Sequence, residues 1–387
     1  MSNVSCTEED TSLRILLLEE EPVDVQPVRE LLAEVEANPF ELERIPLPAL
    51  PFHPPMGRDI DVAVFHPRQP DCGELRSFRT AFAGTREAPL KVLTGFEGGS
   101  LSVKALQEAD GGCLVTGQHL DGRSLRLCLL RSLQRARWRR ARRIVQATRE
   151  ELRIAREIQQ KFFPTAPRLD GFDIGGASYP ASLTGGDYFD FIPLPDGTLG
   201  VVVGDVSGHG FGPALLMAST RAYLRGLAQT YAGPAEILTR ANRVLIDDTG
   251  GDPYITLLFA RLDPRSRSLV YASAGHPTGY VVGATGVLKE RLESTAIPLG
   301  LDAGGDFSSS GAVTLEPGDT VLLVTDGVLE ARAPNGDIFG EERALDTLRV
   351  CRTDTARQLV DNLYQTVRGF TQNRPQHDDI TAVSIKA

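Results

Sequence analysis

The sequence predicts a three-part chain: a small α/β unit over residues 12–122, one long helix over 125–162, and an α+β layered domain over 165–387. Three observations carry this. Short apolar runs alternate with helical stretches in the first third. No proline occurs between Pro89 and Pro164. From Phe172 onward strand patterns come first, then a helix pair, then strands again.

In the first part, Arg14 to Leu18 (RILLL), Asp61 to Phe65 (DVAVF), Leu90 to Leu93 (LKVL) and Cys113 to Val115 read as buried strands. Helices are expected from Pro27 to Glu36, with proline in the first turn, and from Leu101 to Ala109. Pro46 to Pro55 holds too many prolines for an interior helix or a central strand. The alternation implies a mostly parallel sheet.

The proline-free middle reads as a helix on the order of 50 Å long, enough to separate two domains and to pair with a partner helix. Val145, Thr148, Leu152, Ala155, Gln159 and Phe162 recur at spacings of 3 and 4, a heptad rhythm with imperfect seam residues. Ile154 and Ile158 add a neighbouring apolar position. Arg131, Arg135, Arg137, Arg139, Arg140, Arg142 and Arg143 crowd the preceding segment. They read as a solvated face, as a contact for an acidic partner domain, or as a nucleic-acid or membrane surface. Aromatic interleaving is limited to Trp138, which counts against the last.

In the third part, strands are expected at Thr198 to Gly204, Ile255 to Leu262, Leu269 to Ser273, Gly279 to Val282, Thr320 to Val324 and Ile380 to Ile385. Helices are expected at Gly212 to Thr230, Pro234 to Asp247 and Ala356 to Phe370.

Composition narrows the class. Hydrophobic residues make 41% of the 387 and charged residues 24%, a globular mixture. The net charge of −10 disfavours a general nucleic-acid coat. No apolar run reaches the roughly 20 residues that span a bilayer. The N-terminus lacks a secretory pattern, and five scattered cysteines form no CxxC pair, so a cytoplasmic protein with reduced thiols is expected.

Six acidic residues in four places sit beside apolar strands and glycine turns: Asp187 and Asp190 in GGDYFD, Asp205 in VVVGDVSGHG, Asp326 in LLVTDG, and Asp378 and Asp379 in HDDIT. Taken singly, an Asp beside Gly is a turn residue. Carboxylates converging from strand ends repel one another and call for cations, and hard oxygen ligands suit Mg²⁺ or Mn²⁺. No HExxH, cysteine cluster, GxSxG or GxxxxGK[ST] directs the reading to zinc, a serine hydrolase or a P-loop enzyme.

The segments REIQQKFFPTAP, GGDYFDF, VVVGDVSGHGFGPALLMA, YITLLFARLD, YASAGHPTGYV, LLVTDGVLEARAPNGDIFGEERA and HDDITAVSIKA resemble, in order, the bacterial SpoIIE/RsbU-type serine/threonine phosphatases, a metal-dependent branch of the PP2C-like family. The resemblance runs from about Glu150 to the C-terminus. It implies two antiparallel sheets packed face to face with helices outside, and two Mn²⁺ or Mg²⁺ ions at one edge. It further implies that Asp205 bridges both ions with help from the Val206 carbonyl, that Asp187 takes the place of the first acidic ligand, and that Asp326 and Asp378 hold the other ion. Asp379 stays open as the alternative to Asp378. Asp187 and Asp205 would then carry catalysis through activated water, with no covalent nucleophile. Asp190, Gly208, His209 and Gly327 are expected to support or shape the loops. Proton transfer to the leaving group is a second reading for His209. His276 reads as a turn or core histidine.

Residues 12–122 resemble a response-regulator receiver by pattern. Glu19 and Glu20 match its acidic pair, and Thr94 its switch hydroxyl. His66 stands where an aspartate accepts phosphate, and Thr116 where a lysine belongs. A degenerate receiver is therefore expected. Another α/β or sensory fold, and a receiver with a shifted site at Asp61 or Asp71, are the alternatives.

By resemblance the substrate is a phosphoserine or phosphothreonine on an anti-sigma-factor antagonist of the STAS type, in partner-switching stress signalling. A homodimer is expected, with an upstream signalling protein on the N-terminal unit or long helix, and no nucleic acid. Two other functions compete: a non-catalytic binding module on the same fold, and a metal-dependent hydrolase of a small phosphorylated molecule.

Overall fold

The computed structural model describes residues 13–19, 40–46, 62–66, 90–93, 113–114, 122–208, 210–250 and 252–387. The chain divides into two compact units, Met1–Thr148 and Arg149–Ala387.

In the first unit, strands β1 (Leu13–Glu19), β2 (Phe40–Pro46), β3 (Val62–His66), β4 (Leu90–Leu93) and β5 (Cys113–Leu114) form one parallel sheet in the order β2-β1-β3-β4-β5. Four of these match expected strands within a residue or two. β2 was not expected; it is an edge strand and reaches the proline-rich run only at its last residue, Pro46. The helices expected at Pro27 to Glu36 and Leu101 to Ala109 lie outside the described residues.

Helix α1 (Gly122–Gln160) is 39 residues long. It starts three residues before the expected point and ends two before Phe162, which leaves the helix to enter the core of the second unit.

The second unit holds two five-stranded antiparallel sheets. The first comprises β7 (Tyr188–Pro193), β8 (Leu199–Val206), β9 (Ile255–Asp263), β10 (Ser268–Ala274) and β13 (Val313–Thr314), in the order β13-β10-β9-β8-β7. The second comprises β6 (Asp173–Tyr179), β11 (Gly279–Val282), β12 (Leu288–Leu292), β14 (Thr320–Val324) and β15 (Ile380–Lys386), in the order β12-β11-β14-β15-β6. Period-2 alternation splits each central strand between two cores. Val201 and Val203 of β8 face Val321, Leu323, Val383 and Ile385 across the inter-sheet core. Val202 faces outward, onto Met217 and Leu224 of α2 (Phe211–Leu227) and Ile237 and Leu238 of α3 (Pro234–Thr249). On the far side, Leu322 and Val324 pack on α5 (Gly340–Val350) and α6 (Ala356–Phe370). A one-turn helix, α4 (Asp326–Leu329), follows β14 directly. Strands covered on both faces explain why VVV and VLLV read as unbroken apolar runs.

Candidate active site

The carboxylates gather where β8, β14 and β15 end and the loop before β7 passes. Asp205 is the penultimate residue of β8, Asp326 opens α4 after β14, and Asp378 and Asp379 precede β15. Asp187 precedes β7 and is 2% exposed.

Asp187 is fixed by a hydroxyl. Thr325 Oγ1 donates to its Oδ2 at 2.9 Å, and the same hydroxyl accepts the Thr381 N–H at 3.1 Å. Thr325 N–H in turn donates to the Thr381 carbonyl at 3.1 Å. This buried pair ties the ends of β14 and β15 to the Asp187 carboxylate.

Asp378 and Asp379 differ sharply. Asp379 is 7% exposed. Its two oxygens accept backbone N–H groups of Ala181 at 2.7 Å and Asp187 at 3.4 Å. Asp378 is exposed, and one of its oxygens accepts the Asp379 N–H at 2.8 Å. Two glycines permit this crowding. A Cβ on Gly185 would stand 2.2 Å from Asp379 Oδ2, and one on Gly327 would stand 1.9 Å from the Asp379 carbonyl oxygen.

The charges strain against one another. Burial, then Asp326 and Asp378, push the Asp205 carboxyl up to about 8. Burial, then Asp205 and Asp379, raise Asp187 well above the usual carboxylate range. Burial, then Asp378 and Glu330, raise Asp326. Burial is also the main cause that raises Asp379. Such mutual repulsion would be relieved by positive charge placed among the carboxylates.

The donors suit a hard divalent cation. Asp187 Oδ1 and Asp326 Oδ1 are buried with no hydrogen-bond partner. The Val206 carbonyl oxygen and Asp205 Oδ1 lie 2.9 and 3.3 Å from the Cβ position that Gly186 leaves empty, an oxygen-lined cradle a side chain would fill. Among the described residues, no three Asp, Glu, His or Cys side chains already stand as a complete ligand set. Mg²⁺ and Mn²⁺ complete their shells with carbonyl and water oxygens, so a full carboxylate cage is not required.

The other expected residues fall apart from this group. Asp190 is fully buried and spent on structure: its oxygens accept Arg225 Nε and Nη2 of α2, each at 2.6 Å, with Tyr188 Oη at 2.7 Å and the Phe191 N–H at 2.8 Å. Gly208 holds φ +94°, which turns the chain away from β8. His276 is buried, its Nδ1 sits 3.2 Å from Thr256 Oγ1, and burial lowers it to about 4, so it is a neutral core residue at pH 7. His209, Glu20, Thr94 and Thr116 lie outside the described residues. Glu19 and His66 end β1 and β3 in register with each other.

Gln159 departs from the heptad reading. It is 6% exposed, and its amide grips Gly185 twice: Nε2 donates to the Gly185 carbonyl at 2.6 Å, and the Gly185 N–H donates to Oε1 at 3.1 Å. A polar residue in an apolar seam was the available signal. Thr325 and Thr381 stand inside quoted motifs, but only the fold reveals their joint hold on Asp187.

Two stacked antiparallel sheets, flanked by helices and carrying a cluster of mutually repelling carboxylates at one edge, define the class: an α+β layered domain with an acidic centre. The profile of the family described as Stage II sporulation protein E (SpoIIE) matches residues 195–387. The phosphoserine phosphatase RsbU of Bacillus subtilis (strain 168) is 30% identical over 247 residues, covering 63% of this chain and 72% of that protein. The chain therefore belongs to the SpoIIE family. Protein IcfG of a Synechocystis species is 29% identical over 265 residues, 61% of this chain and 41% of that protein. The SiaA-PP2C domain of Pseudomonas aeruginosa shares the fold at a TM-score of 0.56 and 23% identity, covering 63% of this chain and 98% of that one.

Proposed function

We infer that the chain is a metal-dependent protein serine/threonine phosphatase that hydrolyses a phosphoserine or phosphothreonine monoester. The observation that carries this is the carboxylate centre: Asp187, Asp205 and Asp326, raised by burial and neighbouring charge, with two oxygens unpartnered. The likeness to a relative named phosphoserine phosphatase selects the reaction.

Two divalent ions, Mn²⁺ or Mg²⁺, would be held by Asp187, Asp205, the Val206 carbonyl, Asp326 and Asp378. When bound, they supply Lewis acidity that makes water a nucleophile at neutral pH and screens the phosphoryl oxygens. Asp205, whose carboxyl feels Asp326, Asp378 and Asp379, takes the central position. Asp378 is the ligand and Asp379 its support, because both Asp379 oxygens already accept backbone N–H groups whereas Asp378 is exposed. Thr325 aims Asp187, and Gln159 holds the Gly185 turn before it.

The substrate we propose is a phosphorylated STAS-type antagonist in partner switching. The N-terminal unit is a degenerate receiver, a reading supported by its parallel order β2-β1-β3-β4-β5. α1 pairs two chains, supported by exposed Val145, Ile154 and Ile158 along it. Among the described residues no helix is long and apolar enough to cross a membrane.

The test is phosphate release from a serine-phosphorylated STAS-type protein by the purified full chain. Release with added Mn²⁺ or Mg²⁺ and none with EDTA is expected. Equal release in EDTA would remove the metal, and no release in any metal would remove the phosphatase.

A further inference from the structure

A cavity of about 250 Å³ opens beside the carboxylate centre. Its lining includes Arg332, Arg368, Arg374, His377, Gly327 and Asp378. Asp378 is the only one of the centre's carboxylates in that lining. The two walls are continuations of the segments that deliver the centre. One runs from Asp326 through α4 to Arg332, at the base of a tight turn where Ala333 N–H donates to Asp337 O at 2.8 Å and Gly336 takes φ +93°. The other runs from Arg374 to Asp378, braced by Gln376 Nε2 donating to the Tyr179 carbonyl at 2.9 Å. Arg368 is anchored from the last turn of α6, its Nη1 donating to the Arg374 carbonyl at 2.6 Å.

Among the described residues, the three guanidinium groups are paired with no carboxylate, although Arg368 lends one N–H to the Arg374 carbonyl. Arg225, Arg261, Arg291, Arg349 and Arg357 each pair with a carboxylate. Among the described residues, Arg332, Arg368 and Arg374 form no ion pair, in a chain with net charge −10. Three arginines without a carboxylate partner around one concavity offer N–H donors that a carboxylate can accept. The cavity lies to one side of Asp187 and Asp205, which are absent from its lining. An anion lodged there belongs to a part of the substrate beyond the phosphoester.

We propose that this cavity is a specificity subsite that receives an acidic side chain flanking the phosphorylated residue, with Arg332 and Arg374 as its recognition groups. This rests on the phosphatase reading above. It makes the enzyme selective for phosphoserine in an acidic context, and the selectivity weakens as salt rises.

The experiment compares two synthetic phosphoserine peptides, one with flanking Asp and Glu and one with Ala in their place, as substrates of the full chain in Mn²⁺. Arg332→Gln, Arg374→Gln and the double variant are assayed beside the parent, with melting temperatures as the check on folding. The parent should prefer the acidic peptide by about tenfold in kcat/KM, mostly through KM. In the double variant that ratio should fall close to one, with the melting temperature retained. Equal losses on both peptides would overturn the subsite and assign the arginines to the phosphoryl group. A preference that persists in the folded double variant would overturn it too. No turnover of either peptide by the parent, in any divalent metal, would overturn the phosphatase reading and the subsite together.

Discussion

Replacing Gln159 by alanine removes both hydrogen bonds to Gly185 and leaves a buried N–H and a buried carbonyl facing a gap. Each unsatisfied backbone group costs about 1–3 kcal/mol, less what an entering water restores, so about 2–4 kcal/mol is lost. The cost falls on the turn that precedes Asp187, while the sheets that form the core are untouched. Gly185 can then swing away, and Asp187 moves with it unless Thr325 holds it alone. Loosening of 1.4 kcal/mol at the centre corresponds to about tenfold in cation affinity. The assay is turnover of a phosphoserine substrate against Mn²⁺ concentration, with circular dichroism to confirm folding. The Mn²⁺ concentration for half-maximal rate should rise by about tenfold or more, and saturating Mn²⁺ should recover most of the rate. A folded Gln159→Ala protein with the parent's Mn²⁺ curve would show that the clamp does not position the site.

Three further outcomes are expected. Asp190→Asn breaks a buried, bidentate pair with Arg225 and should destabilise the second unit by about 3–5 kcal/mol in urea melts while leaving the Mn²⁺ requirement in place; a shifted Mn²⁺ curve in folded protein would make Asp190 part of the metal centre. Asp205 is raised to about 8 when folded, against about 4 when unfolded, so the metal-free fold binds this proton more tightly and loses the associated stability as pH climbs from about 4 to about 8. Mn²⁺, taking the proton's place, should then raise the melting temperature more at pH 8 than at pH 6, and an equal rise at both would contradict the charge argument. Ile154 and Ile158 are 48% and 51% exposed, and light scattering should give a dimer for the full chain and a lighter species for Ile154→Asp/Ile158→Asp; one mass for both would leave α1 a spacer.

The central strands were legible because both their faces are buried, which turns VVV and VLLV into unbroken apolar runs. Other strands were not. In β6, Gly175 and Gly176 replace the apolar side chains that would have shown alternation, and they do so because the Arg357 backbone and the Phe189 ring press against them. In β7, Asp190 interrupts the pattern and is tolerated only because Arg225 reaches it from α2. β12 (LKERL) keeps three exposed positions and carries little apolar signal. At the site, the glycine-flanked aspartates announced themselves by type and place. The contrast between buried Asp379 and exposed Asp378 did not, since it arises from where the fold places each residue and which backbone N–H groups it brings to Asp379. Gln159 fits the heptad rhythm in sequence, yet its partner lies 26 residues away.

In the proposed function Asp205 organises divalent cations for phosphomonoester hydrolysis. The most direct measurement pairs Mn²⁺ binding by calorimetry with Mn²⁺-dependent phosphate release, for the parent and for Asp205→Asn, in the full chain. Replacing a central carboxylate with a neutral amide should weaken Mn²⁺ binding and lower turnover at least about 100-fold while the melting temperature without metal holds or rises, since one repelling charge is gone. A folded Asp205→Asn protein that binds Mn²⁺ and releases phosphate like the parent would contradict the account.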